Sequence, residues 1–144
     1  MRFPADRLDP ECYPEPGVTL PVFYGDLDTN RHINNVSMGR FFEHARFTLH
    51  TGIGIDAIVH RTRGRMLIAR VAVDYLHEGG LGPPVHVRTR IKQVGRTSMV
   101  EEQAAWQDGA CIALAEIVGA YRHNGEAAEW PEDLRALLLT LKTG

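Results

Sequence analysis

Two carboxylates, one imidazole and three side-chain amides fall within the run Tyr24-Gly25-Asp26-Leu27-Asp28-Thr29-Asn30-Arg31-His32-Ile33-Asn34-Asn35, and a helical pattern follows at once. A helix start presents unpaired backbone N–H groups and the positive end of the helix dipole. A carboxylate and an imidazole beside such a start can surround one small substrate group with a base and a donor for a developing oxyanion. Asp28 is the candidate nucleophile or general base. His32, whose ordinary pKa lies near ~6.5, can accept or relay a proton at neutral pH. Asn30 can orient either group or a water, and the Asn35 N–H is the candidate oxyanion contact. That set suits acyl chemistry. Each member also has a structural role open to it: Asp28 in an Asx-turn or cap, Asn34 and Asn35 as side-chain caps, His32 as a hydrogen-bonded structural residue. Asp26 reads as serving the turn.

The elements that must position these groups follow from periodicity. Val18 to Tyr24 reads as a short strand, and residues 1–17 as an irregular lead-in to one domain, 18–144. From Asn35 to His50, Met38, Phe42, Ala45 and Leu49 form the stripe of a helix packed on one face. Gly52 stands where a C-terminal glycine would end it, and Glu43 and Arg46 are spaced to pair along it. After a loop containing Arg61, Arg63 and Arg65, the period becomes two. Met66–His77, Val85–Val94, Thr97–Gln107 and Cys111 to about Arg122 read as strands, with Asp108-Gly109 as a hairpin turn. Pro131, Glu132 and Asp133 open a last helix whose buried side is Leu134, Leu137, Leu138 and Leu141. The expected fold is α+β, a long antiparallel sheet wrapped around one main helix. Covering both faces of such a sheet needs something more, and a second copy of the chain is the cheapest candidate.

Composition narrows the classes. At 144 residues and a net charge of −2, the chain is one domain with no basic field for nucleic acid. No apolar run approaches the ~18 residues of a membrane span, and the first residues lack the apolar stretch of a signal peptide. Two distant cysteines, Cys12 and Cys111, do not form a disulfide framework, so a cytoplasmic setting is expected. The histidines show no HxxxH or HExxH spacing, and no glycine-rich phosphate loop appears. No metal or separate cofactor is expected.

Asp26 through Asn35, followed by Phe41-Phe42-Glu43 and Ala45-Arg46, resembles the start of a hotdog-fold acyl thioesterase, similar to the bacterial group that includes the 4-hydroxybenzoyl-CoA thioesterases. The likeness extends to Asp74-Tyr75-Leu76, to Gly95-Arg96-Thr97-Ser98 and to Pro131-Glu132-Asp133-Leu134, and so covers nearly the whole chain from Val18. The resemblance implies that Asp28, second of an Asp-x-Asp pair, acts on the thioester, and that the Asn35 backbone N–H polarises its carbonyl. It also implies a homodimer or homotetramer with the site at the interface. The substrate would be an acyl thioester of coenzyme A or of an acyl carrier protein, the coenzyme or phosphopantetheine entering only as part of it. Asp28, Asn30 and His32 also match, position for position, the Asp-x-Asn-x-His motif of plant-type acyl carrier protein thioesterases. Those enzymes use a glutamate placed as Glu78 is in Asp74-Tyr75-Leu76-His77-Glu78. This chain departs from them in having one hotdog unit rather than two and a longer interval between His32 and Glu78.

A basic stripe of His86, Arg88, Arg90 and Lys92, with Arg96, Thr97 and Ser98 in the next turn, is a candidate contact for the phosphates of the carrier. Its other reading is a solvated outer face that deters aggregation. The acyl pocket is expected to involve Phe41, Phe42 and the loop from Ile53 to Arg65. Two other functions fit the fold. An enoyl-thioester hydratase would carry Asp-x-Asn-Pro-x-His, whereas this chain is one residue shorter there and lacks the proline. A non-catalytic acyl-thioester binding module would keep the same residues for folding and show affinity without turnover.

Overall fold

A computed structural model describes residues 2–14 and 16–143. In chain order it contains helix α1 (Ala5–Leu8), a 3-10 turn (Pro10–Cys12), strand β1 (Val18–Leu20), a second 3-10 turn (Tyr24–Asp26) and helices α2 (Asn35–Ile53) and α3 (Ile55–Arg61). Strands β2 (Arg65–Tyr75), β3 (Val85–Val94), β4 (Ser98–Gln107), β5 (Ala110–His123) and β6 (Glu126–Ala127) follow, and helix α4 (Glu132–Thr140) closes the chain. The sheet is antiparallel in the order β1-β3-β4-β5-β2, with β6 paired to the end of β5.

Helix α2 lies across one face of this sheet. Met38, Phe41, Phe42 and Ala45 are buried there against Val85, Val87, Ala105, Ala113, Ala115 and Ile117. Phe41 and Phe42 therefore fill the core rather than lining an acyl pocket. A polar cluster sits within the same layer. Arg46 Nη1 donates to Gln103 Oε1 at 2.9 Å, Gln103 Nε2 donates to the Phe42 carbonyl and to Thr89 Oγ1, and His50 Nε2 lies 2.9 Å from a Glu101 carboxylate oxygen. Arg46 thus bonds across to the sheet instead of pairing with Glu43. Every buried polar side chain in this cluster has a partner, which is what makes its burial tolerable.

Several expectations shift. The strand expected over Val18–Tyr24 ends at Leu20, because the chain turns at Tyr24–Asp26 to meet the helix start. The helix ends at Gly54, not at Gly52. Gly54 holds φ +95°, the left-handed geometry that suits glycine at a C-cap, and its N–H donates to the His50 carbonyl. The expected loop from Ile53 to Arg65 contains α3, whose Ile55 and Ile58 pack with Trp130, Leu134 and Leu138 in a second core under α4. The lead-in, expected to be irregular, is clamped on the outer sheet face. Tyr13, Leu8 and Cys12 pack on Trp106 and Leu114 there, and Glu102 bridges Arg7 and Arg90 at 2.9 Å each.

Candidate active site

The segment carrying Asp28 is held as a preformed loop. Asp28 Oδ1 accepts from the N–H groups of Asn30 and His32 at 2.8 and 3.1 Å, and the Asp28 N–H donates to the His32 carbonyl at 2.8 Å. This closed Asx-turn forces Arg31 to φ +62°, a backbone region of about 1–2 kcal/mol penalty for a non-glycine residue. The second oxygen, Oδ2, has no hydrogen-bond partner among the described residues, and Asp28 is solvent-exposed. The structural and the chemical readings of Asp28 therefore coexist, one on each oxygen.

Asp26 anchors the loop to the helix. Its carbonyl accepts from the Asn34 N–H at 2.8 Å, Oδ2 accepts from the Phe23 N–H at 2.9 Å, and its other oxygen pairs with Arg40. Burial alone would raise the Asp26 pKa. The Phe23 N–H, the Ser37 hydroxyl and Arg40 outweigh that and hold it below the ordinary carboxylate value. Asn34 is the N-cap, its side-chain oxygen accepting from Ser37 N at 2.8 Å. That leaves Asn35 as the first helical residue, and no hydrogen bond among the described residues uses its N–H.

Glu78 reaches the same place from the segment that follows β2. After β2 the chain pairs briefly with the Asp28 loop: the Ile33 N–H donates to the Gly79 carbonyl at 2.8 Å, and His32 and Gly80 form a bridge. This brings Glu78 Oε2 to 3.0 Å from His32 Nε2. In the neutral ring, a hydrogen on Nε2 directed at that carboxylate leaves the lone pair on Nδ1 as the proton-accepting atom. A Cβ at Gly79 would meet Ile33 Cδ1 at 2.8 Å, so a larger residue there would have to push that side-chain tip aside. Gln107 clips the same segment: its Nε2 donates to the Gly80 and Pro83 carbonyls at 2.7 Å, and its Oε1 accepts from the Gly80 N–H at 3.0 Å. Reading the sequence alone missed Gln107, because its partners are backbone atoms more than twenty positions away.

Asp28, Asn30, His32, Asn35 and Glu78 line one open pocket of about 410 Å³, with Ile33, Met38 and Tyr75 as its apolar wall. Burial pushes the Tyr75 phenol up. A carboxylate oxygen without a partner, an oriented imidazole and an unpaired helix-start N–H in one pocket can activate a nucleophile and polarise a carbonyl.

The other anticipated contacts lie elsewhere. Arg88 donates to the Pro10 carbonyl at 3.0 Å and to His86 Nε2 at 3.1 Å. Arg90 is buried, donates to Glu102, Asp6 and the Cys12 carbonyl, and stacks over Tyr13. Both guanidinium groups tether the N-terminal segment and do not reach the Asp28 pocket. Arg96, Thr97 and Ser98 form the β3–β4 turn at the other end of the sheet. There Arg96 pairs with Glu129 at 3.3 Å, and the Thr97 and Ser98 carbonyls accept from the Tyr121 N–H and Trp130 Nε1. Burial raises the Cys111 thiol, in keeping with an unreactive filler.

Comparison with known proteins agrees with this geometry. The family model of the thioesterase-like superfamily matches residues 22–138. A Thermus thermophilus thioesterase, solved in complex with coenzyme A and zinc, is 29% identical with a TM-score of 0.78, the match covering 88% of this chain and 92% of that one. A predicted thioesterase from Bacillus stearothermophilus is 27% identical with a TM-score of 0.77 over 88% and 95% of the two chains. A thioesterase-superfamily protein from Jannaschia, at 16% identity, shares the fold with a TM-score of 0.81 over 89% and 93%. No curated protein matches. The chain has the hotdog fold and belongs to the thioesterase-like superfamily.

Proposed function

We propose that this chain hydrolyses an acyl thioester carried by coenzyme A or an acyl carrier protein, with Asp28 as the reacting carboxylate. The observation that carries the reading is the convergence of the unpartnered Asp28 oxygen, the His32–Glu78 pair and the unpaired Asn35 N–H on one pocket. The thioester carbonyl oxygen accepts from Asn35 N–H as negative charge develops on it. Asp28 either attacks the carbonyl carbon, expelling thiolate and leaving a mixed anhydride for water to cleave, or removes a proton from the attacking water. His32 Nδ1 relays the proton, Glu78 keeps the ring in place, and Asn30 orients the water or Asp28.

The working unit is proposed to be a homodimer joined along β2. That strand is an eleven-residue edge with Leu67, Val71 and Tyr75 about half exposed, at 47%, 49% and 53%. Such an edge is a template for pairing. Antiparallel pairing would set the β2 start of one copy, and with it the end of the sheet that carries Arg96, Thr97 and Ser98, beside the Asp28 pocket of the other. Those three residues would then meet the carrier portion of the substrate across the interface. Arg88 and Arg90 have no part in this proposal.

The test is thiol release from a panel of short, long, branched and aromatic acyl groups, each offered on coenzyme A and on acyl carrier protein. Turnover on either carrier supports the reading. Affinity for thioesters with no turnover across the panel overturns it in favour of a binding module.

A further inference from the structure

Arg63, Arg65 and Arg122 line one open cavity of about 470 Å³ together with Leu67, Asn124 and Gly125. Arg65 and Arg122 stand directly opposite each other in the β2–β5 ladder, so their side chains leave the same face of the sheet, where like charges repel. Two other arginines of this sheet find a carboxylate on a neighbouring strand. Arg90 stands opposite Glu102 and bonds it at 2.9 Å, and Arg70 bonds Glu116 at 3.0 Å. Among the described residues, no ion pair or side-chain hydrogen bond engages Arg63, Arg65 or Arg122, and Arg122 Nε is buried without an acceptor. Arg63 sits at φ +58° just after α3, and Asn124 and Gly125, at +53° and +78°, make the tight turn between β5 and β6. The β5–β6 turn and the end of α3 thus bring three guanidinium groups together with no ion-pair partner among the described residues. Three guanidinium groups gathered in one cavity, two of them opposed on neighbouring strands and without an acidic partner among the described residues, suit an external anion.

We propose that this cavity binds a phosphate group. A phosphate presents several anionic oxygens at once and accepts paired N–H bonds from guanidinium forks, which a single carboxylate cannot do for three arginines together. The cavity lies at the start of β2, whereas the Asp28 pocket adjoins its end. Within one chain the two are separate, and the phosphate site stands without the hydrolytic reading. The phosphate has two possible sources: the carrier of the thioester, or a free phosphate or nucleotide.

Titration calorimetry at low salt tests this with inorganic phosphate and adenosine 3′,5′-bisphosphate as probes, on wild type, Arg65→Gln, Arg122→Gln and Asp28→Asn. Wild type and Asp28→Asn are expected to bind at least one probe, one per chain, and each arginine variant to weaken that binding tenfold or more. Arg65→Gln should also raise Tm in phosphate-free buffer, since it removes the repulsion. Preference for the bisphosphate, with KM for a coenzyme A thioester raised and kcat kept in the arginine variants, assigns the phosphate to the carrier. Equal binding of inorganic phosphate with unchanged KM assigns it to a free ligand. No binding of either probe by folded wild type, or binding by the arginine variants equal to wild type, overturns the site.

Discussion

The two oxygens of Asp28 have different surroundings: one is fixed by the N–H groups of Asn30 and His32, the other has no partner among the described residues. The account therefore predicts that Asp28→Asn keeps the loop, because an amide oxygen can accept the same two bonds, while losing the carboxylate chemistry. His32→Gln should lower kcat by about 10²–10⁴, the usual range for a positioned acid–base group. Glu78→Gln should lower it less and shift the pH–rate profile, because a neutral amide still orients the ring but does not stabilise its cationic form. Asp26 adds a stability prediction. Its folded pKa lies below its unfolded value of 3.8, so the stabilisation is present above that value and lost as pH falls through the folded pKa. Asp26→Asn should be less stable than wild type near neutral pH, with the difference shrinking in acid unfolding curves taken below about pH 4.

At the scale of elements, the helix start matters most. Asn34 supplies the cap that leaves the Asn35 N–H unclaimed, so Asn34→Ala should cost about 1 kcal/mol by chemical denaturation and lower kcat as well. Glu101→Ala leaves the buried His50 Nε2 without its acceptor, which costs about 1–3 kcal/mol. Period-two alternation found β3, β4 and β5 to within a residue or two, and the apolar stripe from Met38 to Leu49 found α2. The Asp28 loop was legible because its bonds are local in sequence. What escaped was set by distant partners. Helix α3 exists because Ile55 and Ile58 pack on α4. The N-terminal clamp depends on Glu102 meeting Arg7 and Arg90 from another strand. Alternation alone places Arg88 and Arg90 on the outer face, but their cover by the N-terminal segment depends on bonds to Pro10 and Cys12 more than seventy positions away.

For the whole molecule, the half-exposed apolar edge of β2 leaves the Asp28 pocket open along one side. Val71→Lys, placed mid-edge, should convert a dimer to monomers in sedimentation experiments and abolish turnover while leaving the fold intact by circular dichroism. A monomeric variant with full turnover would remove the interface from the mechanism. The most direct test of the central claim is free-thiol release by wild type and Asp28→Asn, assayed side by side on the acyl thioester that wild type cleaves best. The account predicts a loss of at least about 10²-fold in kcat for the variant, at unchanged oligomeric state and Tm within a few degrees. Equal turnover by the two proteins would contradict it, and would move the reacting group away from Asp28.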